Sequence, residues 1–480
     1  MKRKFITNLA LVLSLNLLIK PFWIFGIDRT VQVLVGETEY GFYFSLFQLS
    51  VLLNVILDLG IKNFNNRDIA QHNQLLSKYL SNIFGLKIIL AIFYFIIVFF
   101  IGFIVGYNER QIKLLIVLSL NQFISVFILY LRSNISALHF FKIDSIISVL
   151  DRFLMTIFCA LLIWGNIMHN AFSIEIFAYV QTVAYLLTFL IAFIFVLSKS
   201  EFFRIRIERS YIIALLKKCF PFALLTLLMS IYTYIDAVFL ERLLPDGKFQ
   251  AGIYAQGFRI FSAFYMFGFL YAGLLLPMFA KMIKKKEPVD QLTQFSFLLL
   301  IVPSSILVIA SIFYRNEIFN LLYPGHTSES PLVFAVLIMG FIGTCITIIF
   351  GTLLTSNGSL KELNKMAFFA VILNIVLNLI LIPKYKALGS AIAALFTQGI
   401  TGIVQMILAF NIFKFYYNFK LLLTYILFFT GLIIIGYILN YINFEWYYEF
   451  FAMLIVSGIF AMLIKLIRLK TIYEILKFDE

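Results

Sequence analysis

The stretch Tyr79-Leu-Ser-Asn-Ile-Phe-Gly-Leu-Lys87-Ile-Ile-Leu-Ala-Ile-Phe-Tyr-Phe-Ile-Ile-Val-Phe-Phe-Ile-Gly-Phe-Ile-Val105 decides the fold class, because it holds one charge, Lys87, in twenty-seven residues. As a helix rising 1.5 Å per residue it is ~40 Å long, enough to cross a hydrocarbon core ~30 Å thick. Comparable runs recur along the whole chain of 480 residues, at 9–34, 42–61, 112–130, 146–164, 174–197, 215–240, 249–279, 295–313, 332–354, 366–382, 388–410, 421–441 and 446–463. A composition of 62% hydrophobic and 13% charged residues, with mean hydropathy +0.99, excludes a soluble chain. The sequence therefore predicts an all-α integral membrane protein of about fourteen transmembrane helices. The joins between them are short, and the run that follows Lys4 is too long for a secretory leader and reads as an uncleaved first span.

Net charge is +14. The basic residues fall between the apolar runs, so they read as orientation signals and not as a nucleic-acid surface. An even number of spans puts both termini on one side. That side collects 26 Lys and Arg, among them Lys281, Lys284, Lys285 and Lys286, against 7 opposite, including Arg110, Arg242 and Arg315. The positive-inside rule then makes both termini cytoplasmic. The loop 281–286 and the helix-like segment 204–218 are open to a second reading as anionic-lipid contacts.

The other five basic residues, Lys20, Arg29, Lys87, Arg152 and Arg259, lie inside spans, as do Asp28, Asp58, Asp151 and Asp236. A charge at the bilayer centre costs at least ~2.5 kcal/mol, so it should face protein or a watery cavity. Arg259 lies ~15 Å inside its span, near the midplane, where it either faces a cavity or pairs with Asp236. Lys20 precedes Pro21 and lies one turn after Asn16, which suggests a broken, hydrated helix. Lys87 and Arg152 are close enough to a membrane end to snorkel to the interface instead. Neighbours such as Asp28-Arg29 and Asp151-Arg152 point about 100° apart on a helix and need not pair. Asn374 and Asn378, one turn apart, are expected to join helices by hydrogen bonds.

A weak repeat runs through the chain. Asp28 is followed by Gly36, Tyr40, Gly41 and Tyr43 across the first two spans, and Asp236 by Gly252 and Tyr254 across the seventh and eighth. Six intervening helices give both copies one orientation, which suggests two parallel lobes around a central cavity: 1–200 with helices one to six, 210–415 with helices seven to twelve, and 416–480 with two additional helices and a tail. No phosphate-binding loop is present for ATP, and no His or Cys spacing for a metal, so no cofactor is expected. Cys159, Cys219 and Cys345 lie in or beside apolar runs and read as inert.

Several stretches together resemble one family: Gly36-x-x-x-Tyr40-Gly41-x-Tyr43, Asp58-x-Gly60 to Arg67-Asp68-Ile69-Ala70, Asp236 through Gly252-x-Tyr254 and Arg259 to Pro277, and Asn374-Ile-Val-Leu-Asn378 through Pro383 and Gly389 to Ala394. They are similar to the polysaccharide transporters of the multidrug/oligosaccharidyl-lipid/polysaccharide exporter superfamily, the Wzx-type flippases of lipid-linked O-antigen or capsule repeat units. The resemblance implies alternating access for an undecaprenyl-diphosphate-linked oligosaccharide in the bacterial cytoplasmic membrane. It also implies a cavity lined by cations: Arg259 matches such a position, Lys20 and Arg29 match loosely, and Arg152 and Lys87 complete the candidate set. Lys386 stands where many members carry glycine. Asp28 and Asp236 are candidates for Na⁺ or H⁺ coupling or for ion pairing. The expected partners are the lipid-linked substrate and membrane lipids, without ATP or nucleic acid. A drug/cation antiporter of the same superfamily predicts dominant cavity acids, and a membrane glycosyltransferase predicts an outer catalytic face.

Overall fold

The computed structural model describes residues 14–466 apart from 17, 63, 64, 66–68, 70–73, 75, 166–171, 206, 207, 417, 418 and 443. Of the features read from sequence, the start of the first span, Arg67, Asp68, Ala70, Arg206 and the two basic termini lie outside the described residues. Everything regular among the described residues is helical. The chain forms a multi-pass membrane protein, and the apolar runs become helices because the bilayer offers no other partner for backbone N–H and C=O groups. Broad apolar faces, such as Ile92, Phe93, Ile96, Phe100 and Phe103, remain on the surface, where lipid covers them.

In chain order a π-helix, Phe22–Asp28, leads into α1 (Arg29–Leu52), followed by a 3₁₀ turn, Asn54–Leu57. Then come α2 (Leu76–Ile104), α3 (Glu109–Ala137), α4 (Phe141–Ile163), α5 (Ile174–Leu197), α6 (Arg209–Tyr234), α7 (Asp236–Leu243) and α8 (Gly247–Lys284). The rest are α9 (Asp290–Phe313), α10 (Arg315–Leu322), α11 (Ser330–Ser356), α12 (Leu360–Phe413), α13 (Phe419–Ile442) and α14 (Trp446–Leu463).

Among the described residues there are fourteen α-helices, but their membership differs from the expected fourteen spans. The first two spans share α1, which breaks at Gly36 (φ 78°, ψ 167°), a backbone only glycine adopts readily. The second span ends at Leu52 and gives way to the 3₁₀ turn, so it does not run on to residue 61. The seventh is divided at Ile235 into α6 and the short α7. The eleventh and twelfth fall in α12, which Lys386 (φ 52°, ψ −130°) breaks into two limbs within the gap expected between those spans. The segment read as helix from residue 204 is extended at 202–205, and α6 starts at Arg209. Its backbone N–H groups find acceptors on α2 instead: Glu201 N on Ser77 Oγ (2.9 Å), Arg204 N on Ser81 Oγ (3.2 Å) and Glu208 N on Asn82 Oδ1 (3.3 Å).

The chain divides into two compact units, residues 1–255 and 256–480, with the boundary inside α8. In the first, α3 is the central helix and packs on α5, α1 and α4. In the second, α11 packs on both limbs of α12 and on α9, while the α13–α14 hairpin lies against α9. Asn374 and Asn378 join the two limbs of α12 as expected: Ser390 Oγ donates to Asn378 Oδ1 (2.9 Å), and Asn378 Nδ2 donates to Asn374 Oδ1 (3.1 Å).

Candidate functional site

The first unit gathers its interior charges around the start of the chain. Asn16 donates to Ser148 Oγ of α4 (3.2 Å), which docks the first span on α4. Lys20, one turn on, is half-buried and lies in the electrostatic field of Arg152, Asp151 and Arg132. Among the described residues no acid comes within ion-pairing distance of Lys20. Arg152 is held by aromatics more than by acid. Its guanidinium carbon sits 5.7 Å from the Trp23 ring centroid and 5.8 Å from that of Tyr185. Its Nη2 donates to Tyr185 Oη at 3.2 Å, and its Nε lies 3.7 Å from Asp151 Oδ2. So Asp151 and Arg152, though neighbours, make a long ion contact. Arg132 of α3, read from sequence as a loop charge, is instead paired with Asp144 of α4 through Nε (2.8 Å) and Nη2 (3.5 Å). Neither Trp23 nor Tyr185 was predicted; a lone Trp next to a Pro-broken span was the available signal.

Asp28 is buried at the end of the π-helix. The break at Gly36 folds the chain so that Tyr40 Oη reaches both carboxylate oxygens (2.9 and 3.0 Å), and Gln32 Nε2 donates from one turn away (3.1 Å). Asp236 is buried just past the break at Ile235, and its Oδ2 accepts from Tyr254 Oη at 2.8 Å. Both aspartates of the sequence repeat accept a hydrogen bond from a tyrosine, Tyr40 at a separation of 12 residues and Tyr254 at 18, whereas Tyr43, the tyrosine that matches Tyr254 in the Gly-x-Tyr pattern, bonds Gln181. Charge-assisted bonds of this kind are the strong class of hydrogen bond.

The remaining candidates have different surroundings. Lys87 does not snorkel. It is 1% exposed, and its Nζ donates to Asp58 Oδ1 (3.0 Å) and to the Leu57 carbonyl (3.1 Å), with the Tyr130 ring centroid at 5.3 Å. The physical reason is the early end of the second span, whose 3₁₀ turn leaves a carbonyl and a carboxylate beside α2. Arg29 is half-buried at the first position of α1, next to Asp28. Arg259 is half-buried in the second unit on α8, flanked in sequence by buried Phe258 and Ile260. It lies ~18 Å along the helix from Gly247.

Chemically, the first unit brings half-buried Lys20 and Arg152 near one another and holds two buried, hydrogen-bonded carboxylates, Asp28 and Asp236. No described group of His, Cys, Asp and Glu has the makings of a metal site.

Comparison with known proteins places this geometry in context. The family model described as polysaccharide biosynthesis protein matches residues 12–283. The capsular polysaccharide biosynthesis protein CapF of Staphylococcus aureus is 25% identical over 205 residues, 42% of this chain and 51% of CapF, so the match spans about half the length of that relative. Among solved structures, the lipid II flippase MurJ in an inward closed conformation superposes with TM-score 0.67 at 16% identity, over 92% of this chain and 97% of MurJ. An inward-facing multidrug resistance transporter of the MATE family gives TM-score 0.62 at 14% identity, over 85% and 98%. A transporter of the same superfamily from Pyrococcus furiosus, described as having a binding pocket of reverse polarity, gives 0.58 at 13%, over 85% and 94%. These likenesses show the fold of the transporter superfamily.

Proposed function

The chain belongs to the polysaccharide biosynthesis protein family, and from that premise we propose that it is a flippase. It carries an undecaprenyl-diphosphate-linked oligosaccharide from the cytoplasmic to the outer leaflet of the bacterial cytoplasmic membrane, for O-antigen, capsule or exopolysaccharide synthesis. It works as a carrier and not as an enzyme, by alternating access between a lobe of helices one to six (1–200) and a lobe of helices seven to twelve (210–415). The last two helices (416–480) flank them, and both termini are cytoplasmic.

The observation that carries this reading is the half-buried Lys20, which has Arg152, Asp151 and Arg132 in its field, two cations to one acid, and no acid at ion-pairing distance among the described residues. Like charges gathered inside a membrane destabilise the fold unless a ligand of opposite charge uses them. A diphosphate diester supplies about two negative charges, and guanidinium grips phosphate oxygens through paired hydrogen bonds. Lys20, Arg29 and Arg152 of the first unit, and separately Arg259 of the second, are the proposed anion-binding residues, with Lys87 set apart by its bond to Asp58. Moving each negative charge outward across an inside-negative membrane gains ~2.3 kcal/mol per 100 mV. The buried Asp28 and Asp236 support a second element of the reading, coupling to H⁺ or Na⁺.

The test is accumulation of lipid-linked repeat units on the inner leaflet of cells carrying Arg259→Ala, normalised to protein abundance. Transport is expected to be lost, with partial recovery in Arg259→Lys. Should Arg259 depend on Asp236 as an ion partner, the Ala variant will be poorly expressed, and removal of both charges will restore abundance. Normal surface polysaccharide from Arg259→Ala at wild-type abundance overturns the anion-binding role.

A further inference from the structure

One end of the first unit carries a dense polar network that the anion-binding reading does not use. Its contacts fall into two groups. Arg110 of α3 binds Glu39 of α1 (3.0 Å through Nη1) and Glu175 of α5 (2.9 Å through Nε), tying together helices that all belong to the first six spans. These pairs are substantially exposed, the class worth least. The second group joins the first six spans to the seventh and eighth, and there Gln111 and Glu241 are buried while Arg242 and Lys248 are half-buried. Gln111 Nε2 donates to Glu241 Oε1 of α7 at 2.8 Å, with Glu241 8% exposed and Gln111 3%. Arg242 Nη2 donates to Gln111 Oε1 at 3.3 Å, and its guanidinium lies 4.2 Å from the Tyr107 ring centroid. Lys248 Nζ sits 5.1 Å from the Phe42 ring centroid.

Gln111 uses both its amide oxygen and its amide nitrogen in this arrangement. It is also the reciprocal member of the capping box that starts α3, where its backbone N–H donates to Asn108 Oδ1 (2.9 Å) and its Oε1 accepts from Asn108 N (3.0 Å). One amide therefore both starts α3 and bonds to α7. Beside it, α1 crosses α8 at two glycines with no room between the backbones. A Cβ on Gly41 would strike the Lys248 carbonyl and lie 2.5 Å from Gly252 N, and a Cβ on Gly252 would strike the Glu37 carbonyl. Small residues are what allow membrane helices to approach this closely. Here they are the same two glycines that mark the sequence repeat.

We propose that this end is the outward gate of the carrier, with the Gly41–Gly252 crossing as its seal and Gln111 as the positioning residue that latches α3 to α7 through Glu241 and Arg242. The inference rests on the two-lobe reading above, in which the first six spans part from the seventh and eighth when the carrier opens outward. Sealing by backbone contact leaves no gap for a lipid-linked sugar. A latch made of one neutral amide facing a carboxylate and a guanidinium can be broken and remade without stranding two unpaired charges, since Glu241 and Arg242 retain each other (2.8 Å).

Spin labels on the full-length protein in lipid nanodiscs test this, at Lys113→Cys and Leu243→Cys, two residues beyond Gln111 and Glu241 respectively. The buried Cys159, Cys219 and Cys345 are replaced by alanine. The wild-type latch is expected to give one dominant short distance, and Gln111→Leu or Gly252→Ala to at least double the fraction of a longer one. In cells, bridging the same two cysteines with a short, reducible bis-thiol reagent is expected to stop translocation at least ten-fold, with recovery on reduction. Distance distributions that superimpose for wild type and both variants overturn the gate, as does transport at the unbridged rate from fully bridged protein. The distances report on the gate whatever the cargo, so a failure of the glycolipid reading shows only in the cell assay.

Discussion

Lys87 on α2 and Arg152 on α4 look alike in sequence: one long basic side chain each, similarly deep in an apolar run. Their surroundings in the fold are opposite. Lys87 has a carboxylate at 3.0 Å, a carbonyl at 3.1 Å and an aromatic face, and is 1% exposed. Arg152 has two aromatic rings, a tyrosine hydroxyl, a carboxylate only at 3.7 Å, and a side chain still 30% exposed. The first cation is fully used in holding the turn after the second span against α2. The second is held chiefly by aromatic rings and a tyrosine hydroxyl. Depth in an apolar run therefore does not by itself set a cation's surroundings.

The sharpest way to break that contrast is Lys87→Ala. Removing one partner of a buried ion pair costs about 3–5 kcal/mol, because the remaining charge loses its compensation. The variant is expected to fall at least ten-fold in membrane abundance, and Asp58→Ala on top of it to recover much of the loss. Wild-type abundance of Lys87→Ala with impaired transport would return Lys87 to the binding set and dissolve the distinction.

Arg152→Ala should behave the other way. Its carboxylate partner is distant and partly solvated, so the fold should lose little more than a surface ion pair's worth, about 0–1 kcal/mol. Transport of lipid-linked repeat units should drop about ten-fold at near-normal abundance, and Arg152→Lys should recover part of it. Equal losses of abundance and transport would show that Arg152, like Lys87, is structural.

How far such differences could be read in advance depends on which partner makes them. The helices bounded by polar residues on both sides, 174–197 and 446–463, fall on α5 and α14 to the residue, because burial in lipid alone sets their ends. The breaks at Gly36 and Lys386 fall in the gaps expected between spans, 35–41 and 383–387, whereas the division at Ile235 lies inside the expected seventh span and carried no glycine or proline to mark it. The Asp–Tyr repeat was visible as a pattern, but its meaning as a hydrogen bond required the Gly36 fold-back that brings Tyr40 to Asp28. Lys87 was misread because its partner, 29 residues away, is presented by a 3₁₀ turn hidden within a continuous apolar run. Arg132 was assigned to a loop because the expected span stopped at Tyr130, whereas α3 runs on to Ala137.

A smaller effect separates the interior cations from the gate. Glu241 lies beyond the seventh span, where burial pushes its carboxyl above the usual range and Arg242, Gln111 and Lys248 pull it back only in part. Tyr107, the other titratable group facing it, is itself pushed upward, first by burial and then by Glu241. A carboxyl whose pKa is higher when buried in the latch than when exposed to water takes up a proton as the latch closes. Closure is therefore favoured at acid pH, and that stabilisation is lost as pH rises through the raised value. Transport is expected to slow several-fold as the external medium is acidified toward the ordinary glutamate range near pH 4.5. Glu241→Gln should flatten that dependence while Arg152→Ala leaves its shape unchanged. A profile unaltered by Glu241→Gln would place the titrating group elsewhere.

The smallest effect concerns the backbone, with no charge involved. Lys386 holds φ 52° and ψ −130° at the turn between the two limbs of α12, a region glycine visits freely and other residues reach at a cost of order 1–3 kcal/mol. The turn is fixed from outside: a Cβ on Gly389 would strike the Leu381 carbonyl and lie 3.0 Å from Ile382 N, and Ser390 is bonded to Asn378 across the limbs. The chain therefore cannot relax the strain by moving Lys386. Lys386→Gly should relieve it, less ~0.5–1 kcal/mol for the extra freedom glycine gives the unfolded chain, a net gain of about 1 kcal/mol. For a chain of this size that is a rise of roughly 2 °C in thermal midpoint in detergent. Lys386→Ala keeps the Cβ and should show no such rise, so a midpoint lowered by glycine, or raised equally by alanine, would mean that the lysine side chain and not its backbone sets the stability of the turn.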